Sequence, residues 1–221
     1  SRTDTSKWLP MKMYLPNEKA EEYYSSYIKN GFTILNPISG DGYCHVKGPI
    51  DLTKPKIFDC YESEDGESLP SCKIDFDPKR TGQIYDKVNK KPIDVFILKL
   101  HDNIYNFEDS FHFMSKDLQH EYGYVELDKD YKSYDDEFQK NYVPENIIGE
   151  RIIVEYLQNY NNKEYGGIGK LADKVAVKYC FKNNIKPNIF SIAGENSYLS
   201  HYSRGKRFIK PERESEEYEF L

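Results

Sequence analysis

The stretch Lys163-Glu164-Tyr165-Gly166-Gly167-Ile168-Gly169-Lys170-Leu171 sets a glycine cluster between an apolar, strand-like run and an amphipathic, helix-like one. Glycines let backbone N–H groups approach a ligand with no Cβ in the way. The first turn of the helix that follows offers unpaired N–H donors and the positive end of its dipole. A diphosphate fits such a place. The spacing is not GxxxxGK[ST], because Leu171 stands where a hydroxyl would hold magnesium, and it is not GxGxxG. Neither a nucleotide hydrolase nor a dinucleotide enzyme is indicated, and a strand-to-helix turn with no ligand is the plain structural alternative.

Other residues invite chemistry with less context. In Ile147–Leu157 (IIGERIIVEYL) the alternation makes Glu155 the polar exception on its strand face, either a working carboxylate or an ion-paired one. Arg204, Lys206, Arg207 and Lys210 form the most basic stretch, a phosphate ligand set or a solvated face. Gly40-Asp41-Gly42-Tyr43-Cys44-His45 pairs a thiol with an imidazole. His112, between Phe111 and Phe113 in a β pattern, reads as a satisfied structural histidine. The four cysteines, Cys44, Cys60, Cys72 and Cys180, make no CxxC pair, so no metal site is expected. Cys60 and Cys72 could bridge in an oxidising compartment, but free intracellular thiols are the expected state.

Elements must position these residues. Glu18–Asn30 reads as a helix capped by Asn17 and stopped at Asn30-Gly31, and Phe32–Leu35 as a strand. From Asn36 to Lys91, glycines and prolines break the pattern into loops and short strands, Lys56–Tyr61 and Lys73–Phe76 among them. Ile93–Leu100, Ser110–Ser115, Glu121–Leu127 and Ile147–Leu157 follow as strands. Tyr131–Pro144 reads as loop, as does Gln158–Gly166. A helix from Ile168 to about Asn183 places Ile168, Leu171, Ala172, Val175, Ala176 and Tyr179 on one face. Asn188–Ala193 is a strand, Asn196–Tyr202 a short helix and Arg207–Ile209 a last strand. The residues thus divide into an N-terminal extension (1–91), a core (92–210) and an acidic tail (211–221).

Composition bounds the function. The chain has 221 residues and a net charge of −6, from 31 Lys+Arg and 37 Asp+Glu. Binding of nucleic acid through bulk positive charge is therefore not expected. Mean hydropathy is −0.80, yet 20 Tyr and 12 Phe can fill a core, so the chain is not read as disordered. No apolar run approaches the ~18–20 residues of a membrane span, and no signal peptide is visible, so a cytoplasmic protein with no membrane partner is expected.

The order of elements and the form Tyr165-Gly166-Gly167-Ile168-Gly169-Lys170-Leu171 resemble the GNAT superfamily of N-acetyltransferases over about Pro92 to Lys210. Gly167 and Gly169 match the small positions of that family's pyrophosphate loop, and Glu164 stands where the family has Gln or Arg. Asn196-Ser197 and His201-Tyr202 resemble its later Asn and Tyr, with Gly205 one residue early. The resemblance implies an α/β (α+β) fold: a mixed, mostly antiparallel sheet flanked by helices, with an irregular N-terminal extension. It implies acetyl-CoA as co-substrate, no metal, and an amine acceptor, protein or small molecule. Backbone N–H groups of Gly167, Ile168, Gly169 and Lys170 would hold the diphosphate, with Asn196 near the cofactor. Those near Tyr156 and Leu157 would bind the thioester carbonyl. Glu155, with Glu150 as runner-up, would be the base and Tyr202 the acid.

Two rival readings stand beside this one. A non-catalytic GNAT-like binding protein is favoured by Glu164, whose carboxylate a diphosphate would repel. The turn at Asp41-Gly42-Tyr43-Cys44 resembles the nucleophile turn of OTU-type cysteine proteases, which implies a hydrolase using Cys44. Such a nucleophile needs a helix N-terminus, whereas Val46-Lys47-Gly48-Pro49 does not begin a helix.

Overall fold

The structure is a computed structural model that describes residues 32–35, 44–61, 72–102, 108–128, 145–147, 149–191, 193 and 197–208. In chain order its elements are β1 (Phe32–Leu35), β2 (Cys44–Lys47), β3 (Lys56–Tyr61), β4 (Cys72–Phe76), β5 (Thr81–Asp86), β6 (Lys91–Asp102), β7 (Glu108–Met114) and β8 (Glu121–Asp128). A 3-10 turn (Glu145–Ile147) then precedes β9 (Ile153–Asn159), β10 (Tyr165–Gly166), α1 (Ile168–Lys182), β11 (Ile189–Ser191) and α2 (Tyr198–Ser203).

All eleven strands belong to one sheet, ordered β1-β2-β3-β4-β6-β7-β8-β9-β11, with β5 paired to β6 and β10 to β5. Every pairing is antiparallel except β9 with β11, which α1 joins as a parallel crossover. The fold is thus mixed α+β with a mostly antiparallel sheet. Residues 1–91 contribute β1 to β5 to this sheet, and both β4 and β5 hydrogen-bond to the long strand β6.

The run Val95–Leu98 in β6 is wholly buried, as an apolar run without alternation requires. Val95 and Ile97 face α1 with Phe111, Phe113, Val125, Leu127 and Ile153. Phe96 and Leu98 face the other way, with Phe58, Ile74, Phe76 and Met114. α1 buries Ile168, Leu171, Ala172, Ala176, Tyr179 and Cys180, the face expected from its 3.6-residue period with Val175 at the margin. Its end is a Schellman motif: Asn184 is left-handed at φ 54°, and Ile185 N–H bonds Cys180 O at 2.8 Å.

Glycines set how closely α1 lies. A Cβ on Gly82 would sit 2.6 Å from Leu171 Cδ1. One on Gly123 would sit 2.3 Å from Gln158 O and 3.0 Å from Ile168 Cγ2.

Several sequence expectations shift. Ile147–Leu157 is not one strand: the 3-10 turn occupies its start, Gly149 turns the chain at φ 85°, and β9 begins at Ile153. The loop over Gln158–Gly166 contains β10. β2 and β5 lie where glycines and prolines suggested broken chain, because pairing outweighs local propensity in a sheet. Arg207 and Phe208 are not a strand. The expected helix Glu18–Asn30, Asn196, and the tail lie outside the described residues.

Gly123→Ala forces backbone against backbone between β8 and β9. We expect it to lower stability by about 1–3 kcal/mol, read as a reduced urea midpoint with an unchanged slope. An unchanged midpoint would contradict the register described.

Candidate functional site

The glycine loop ends a strand pairing and starts a helix. Tyr165 and Gly166 lie opposite Asp86 and Tyr85 of β5, and Glu164 O accepts Lys87 N–H at 2.8 Å. Gly167 then takes the left-handed conformation, φ 78° and ψ 0°, as the N-cap of α1. No side chain caps the helix and no acidic residue lies in its first turn, although Ser, Thr, Asp or Asn usually fills that place. Cations flank it instead. The Arg204 guanidinium lies 2.5–2.9 Å from where a Cβ on Gly169 would be, and Lys87 Cε lies 3.0 Å from the same point on Gly166. Lys170 and Glu164 are exposed, and Ile168 is buried. Glu164's charge acts on His120 and Tyr165.

Glu155 points under α1 and is 2% exposed. There the structure gathers residues from four parts of the chain. Lys206 Nζ lies 3.0 Å from Glu155 Oε1, 2.5 Å from Ser191 Oγ and 3.3 Å from His201 Nδ1. It is also 3.4 Å from Asp173 Oδ1. Arg204 Nε bonds Asp173 Oδ2 at 2.7 Å, and its NH2 reaches His201 Nδ1 at 3.2 Å. Because both cations can only donate, Nδ1 of His201 carries the lone pair and Nε2 the proton. Glu155 Oε2 and Asp173 Oδ1 are buried with no fixed donor. The charge of Asp173 adds to the burial that favours a proton on Glu155.

The electrostatics follow. Burial, with Asp173's charge adding to it and Lys206 opposing, raises the Glu155 pKa to about 6. Burial also raises Asp173, but the Arg204 hydrogen bond and the Lys206 charge outweigh it, so its pKa is lowered. Burial, then the charges of Lys206 and Arg204, lowers His201 to about 4, so it is neutral at pH 7. A carboxylate titrating near 6 suits proton transfer close to neutrality.

Pairing of β11 with β9 ends at Ser191 opposite Glu155. Tyr156 and Leu157 lie opposite Glu126 and Val125 of β8. Tyr202 is half-buried, its ring 4.0 Å beneath the Arg207 guanidinium. Its neighbour His201 is the α2 residue that turns into the Glu155 cluster. Glu150 is tied to Lys186 at 2.5 Å and to Asn188 at 3.1 Å, bonds that hold its carboxyl low. Asn196 and Lys210 lie outside the described residues.

Sequence reasoning missed Asp173 and Ser191, named His201 only as the neighbour of Tyr202, and left Lys206 and Arg204 open as a solvated face. The available signal was Asp173 itself, next to Ala172 at the edge of the buried face of α1.

Elsewhere, Ser110 Oγ and His112 Nε2 lie 2.8 Å apart, as do His112 Nδ1 and Glu121 Oε1, all buried. His112 is thus satisfied internally. Cys44 lies in β2, not at a helix N-terminus. Cys60 is disulfide-bonded, which corrects the expectation of a free thiol there. Cys72 is buried and lies opposite Cys60 in register without being its disulfide partner, and Cys180 is a buried free thiol. Among the described residues no group of three or more His, Cys, Asp or Glu could hold a metal. No helix among them is long and apolar enough to cross a membrane.

Compared with known proteins, the chain matches no family model, no curated protein and no solved structure.

Lys206 is the cation on which the carboxyl pair depends. Replacing it by Met should destabilise the protein by about 3–5 kcal/mol at pH 7.5. The sign with pH is fixed by Glu155: its folded pKa of about 6 lies above the ordinary 4.5. The folded state therefore binds the proton more tightly, and the penalty for its charge grows as pH rises through that window. The loss in Lys206→Met should shrink at pH 5, measured by denaturant unfolding at both values; equal losses would rule out the carboxyl pair as its cause.

Proposed function

We propose that the chain is a GNAT-like, acyl-CoA-dependent N-acyltransferase, moving an acetyl group from acetyl-CoA to an amine. One observation carries the reading. An uncapped, glycine-lined helix N-terminus stands in the crossover between two parallel strands, with a buried carboxylate of raised pKa opposite Ser191 in their register.

In this reading the backbone N–H groups of Gly167, Ile168, Gly169 and Lys170 take the diphosphate, with Arg204 and Lys87 adding charge. N–H groups near Tyr156 and Leu157 bind the thioester oxygen and stabilise the oxyanion. Glu155 receives the proton of the acceptor amine through water, since the carboxylate itself is buried. The amine nitrogen forms its bond to the acyl carbon, and the carbon–sulfur bond breaks. Tyr202 returns a proton to the departing thiolate. The exposure of Glu164 and its influence on His120 and Tyr165 support a diphosphate seat on the Arg204 side of the loop.

A second reading is favoured by Lys206. Its ion pair with Glu155 leaves the carboxylate closed off, as in a GNAT-like protein that binds without turnover. The disulfide at Cys60 favours an oxidising compartment over the cytoplasm.

Calorimetric titration of the full chain with acetyl-CoA and with CoA separates the readings. The proposal expects a dissociation constant in the micromolar range, roughly −8 kcal/mol, weakened at least about tenfold in Gly169→Glu. Its unfolding temperature is measured alongside, because the Arg204 guanidinium it displaces is bonded to Asp173, Ser200 and His201, and the weakened binding counts only where the variant is folded at the titration temperature. No binding by the parent overturns the proposal. Binding without acyl transfer to any amine supports the second reading.

A further inference from the structure

A second constellation lies at the other end of α1, about 15 Å along the helix from its first turn. His101 and Asp109 are direct cross-strand partners of β6 and β7, on the face that packs against α1. His101 Nδ1 lies 2.8 Å from Asp109 Oδ1. The Tyr179 hydroxyl, from α1, donates to Asp109 Oδ2 at 2.7 Å. Asp109 is buried at 6% exposure, while the His101 side chain is 41% exposed. Both carboxylate oxygens are thus engaged, one orienting the imidazole and one locked by a tyrosine. Burial and the bond to Asp109 push the Tyr179 hydroxyl up, so it stays a donor.

A carboxylate on Nδ1 fixes the neutral tautomer and leaves Nε2 as the lone-pair nitrogen. This is the relation of base to orienting carboxylate found in hydrolytic triads. The surroundings select charge. Lys73 is opposite His101 in register on β4, and Lys99 lies two residues before it on the same face. Lys99 Nζ is 5.9 Å from both the Phe111 and Tyr179 rings. Of the neighbouring carboxylates, Asp75 is taken by Arg80 at 3.1 Å, and Asp59 lies opposite Lys73.

We propose that His101 is the base of a second proton-transfer site, positioned by Asp109 and Tyr179, for a small oxyanion substrate such as a carboxylate or phosphoryl compound. The site is independent of the acyltransferase reading and shares no residue with it.

Alkylation of the native full chain tests this without knowing the substrate. Iodoacetate and iodoacetamide each form a bond from His Nε2 to their methylene carbon, with iodide leaving. They differ in charge alone. Rates at His101 and at exposed His120 are read by peptide mass spectrometry. His120 faces Asp117 and Glu164, so it serves as the opposite electrostatic case. The iodoacetate-to-iodoacetamide ratio should be higher at His101, by roughly threefold for each lysine about 7 Å away in water. Lys99→Met should remove about one such factor without changing the iodoacetamide rate. Asp109→Asn should slow both reagents at His101, and Asp109→Glu should restore them in part. Equal ratios at the two histidines overturn the proposal, as does an Asp109→Asn protein that alkylates at the parental rate. If Asp109→Asn does not fold, the nitrogen chemical shifts of His101 in the parent decide: protonated Nδ1 with bare Nε2 supports the proposal, and the reverse tautomer overturns it.

Discussion

A buried carboxyl, Glu155, set near a half-buried one, Asp173, demands a cation, and much of the C-terminal half is arranged to bring one. Glu155 is shut off from water between β9 and α1, and the Asp173 oxygen Oδ1 is buried with it. A pair of like charges in a low-dielectric site is tolerated only when a proton neutralises one of them or opposite charge is near. Lys206 and Arg204 supply that charge, and both come from the residues just after α2. The chain therefore turns back over the start of α1 once β11 is complete. The same turn brings His201 in as an acceptor for both cations and lays Arg204 against Gly169. Gly169 lacks a side chain at the point where the guanidinium passes. Helix start, strand end and C-terminal turn are in this way one electrostatic unit.

The sheet provides the rigid side of that unit. β6 is long enough to bond β5 along its first half, β4 along its second and β7 along its other edge. Through β5 it also reaches β10, so the glycine loop is tied to a strand about 80 residues earlier in the chain. α1 lies close on this surface because Gly82 and Gly123 leave room for Leu171 and Ile168. The first turn of the helix is thus fixed from below by packing and from the side by pairing, and its N–H groups have a set direction. A flexible loop could not hold donors in that way, since ordering it on binding would cost conformational entropy.

What the sequence disclosed follows from which forces act locally. α1, its buried face and its asparagine-led stop were legible, because helical period and capping depend on residues a few positions apart. The strands Lys56–Tyr61 and Phe32–Leu35 were legible for the same reason. β5, with Gly82 inside it, and β10, two residues long, exist only through partners far away, and no local pattern marks them. The site divides in the same way. Glu155 stood out as a polar residue in an apolar alternation, and Gly167 and Gly169 as a helix entry. Lys206 and Arg204 read equally well as a solvated face, because only the fold reveals buried carboxylates facing them. The Lys73–His101–Asp109 row needs three strands in register, so its chemistry could not be seen in a linear chain.

The Arg204–Asp173 contact couples the two halves of the acyltransferase reading. Arg204 lies between the first turn of α1 and Asp173, so an anion seated on that turn competes for the same guanidinium. As the guanidinium turns toward the anion, Asp173 loses the hydrogen bond that most lowers its pKa, and its affinity for a proton rises. Any proton the pair holds is then drawn toward Asp173 and away from Glu155. Glu155 becomes a free carboxylate held by Lys206, which is the form a base must take before it can accept a proton. Occupancy of the glycine loop would in this way prepare the base a few residues away, with no movement of the backbone. The direction of that coupling is set by the charges: a cation withdrawn from Asp173 raises its affinity for a proton relative to that of Glu155.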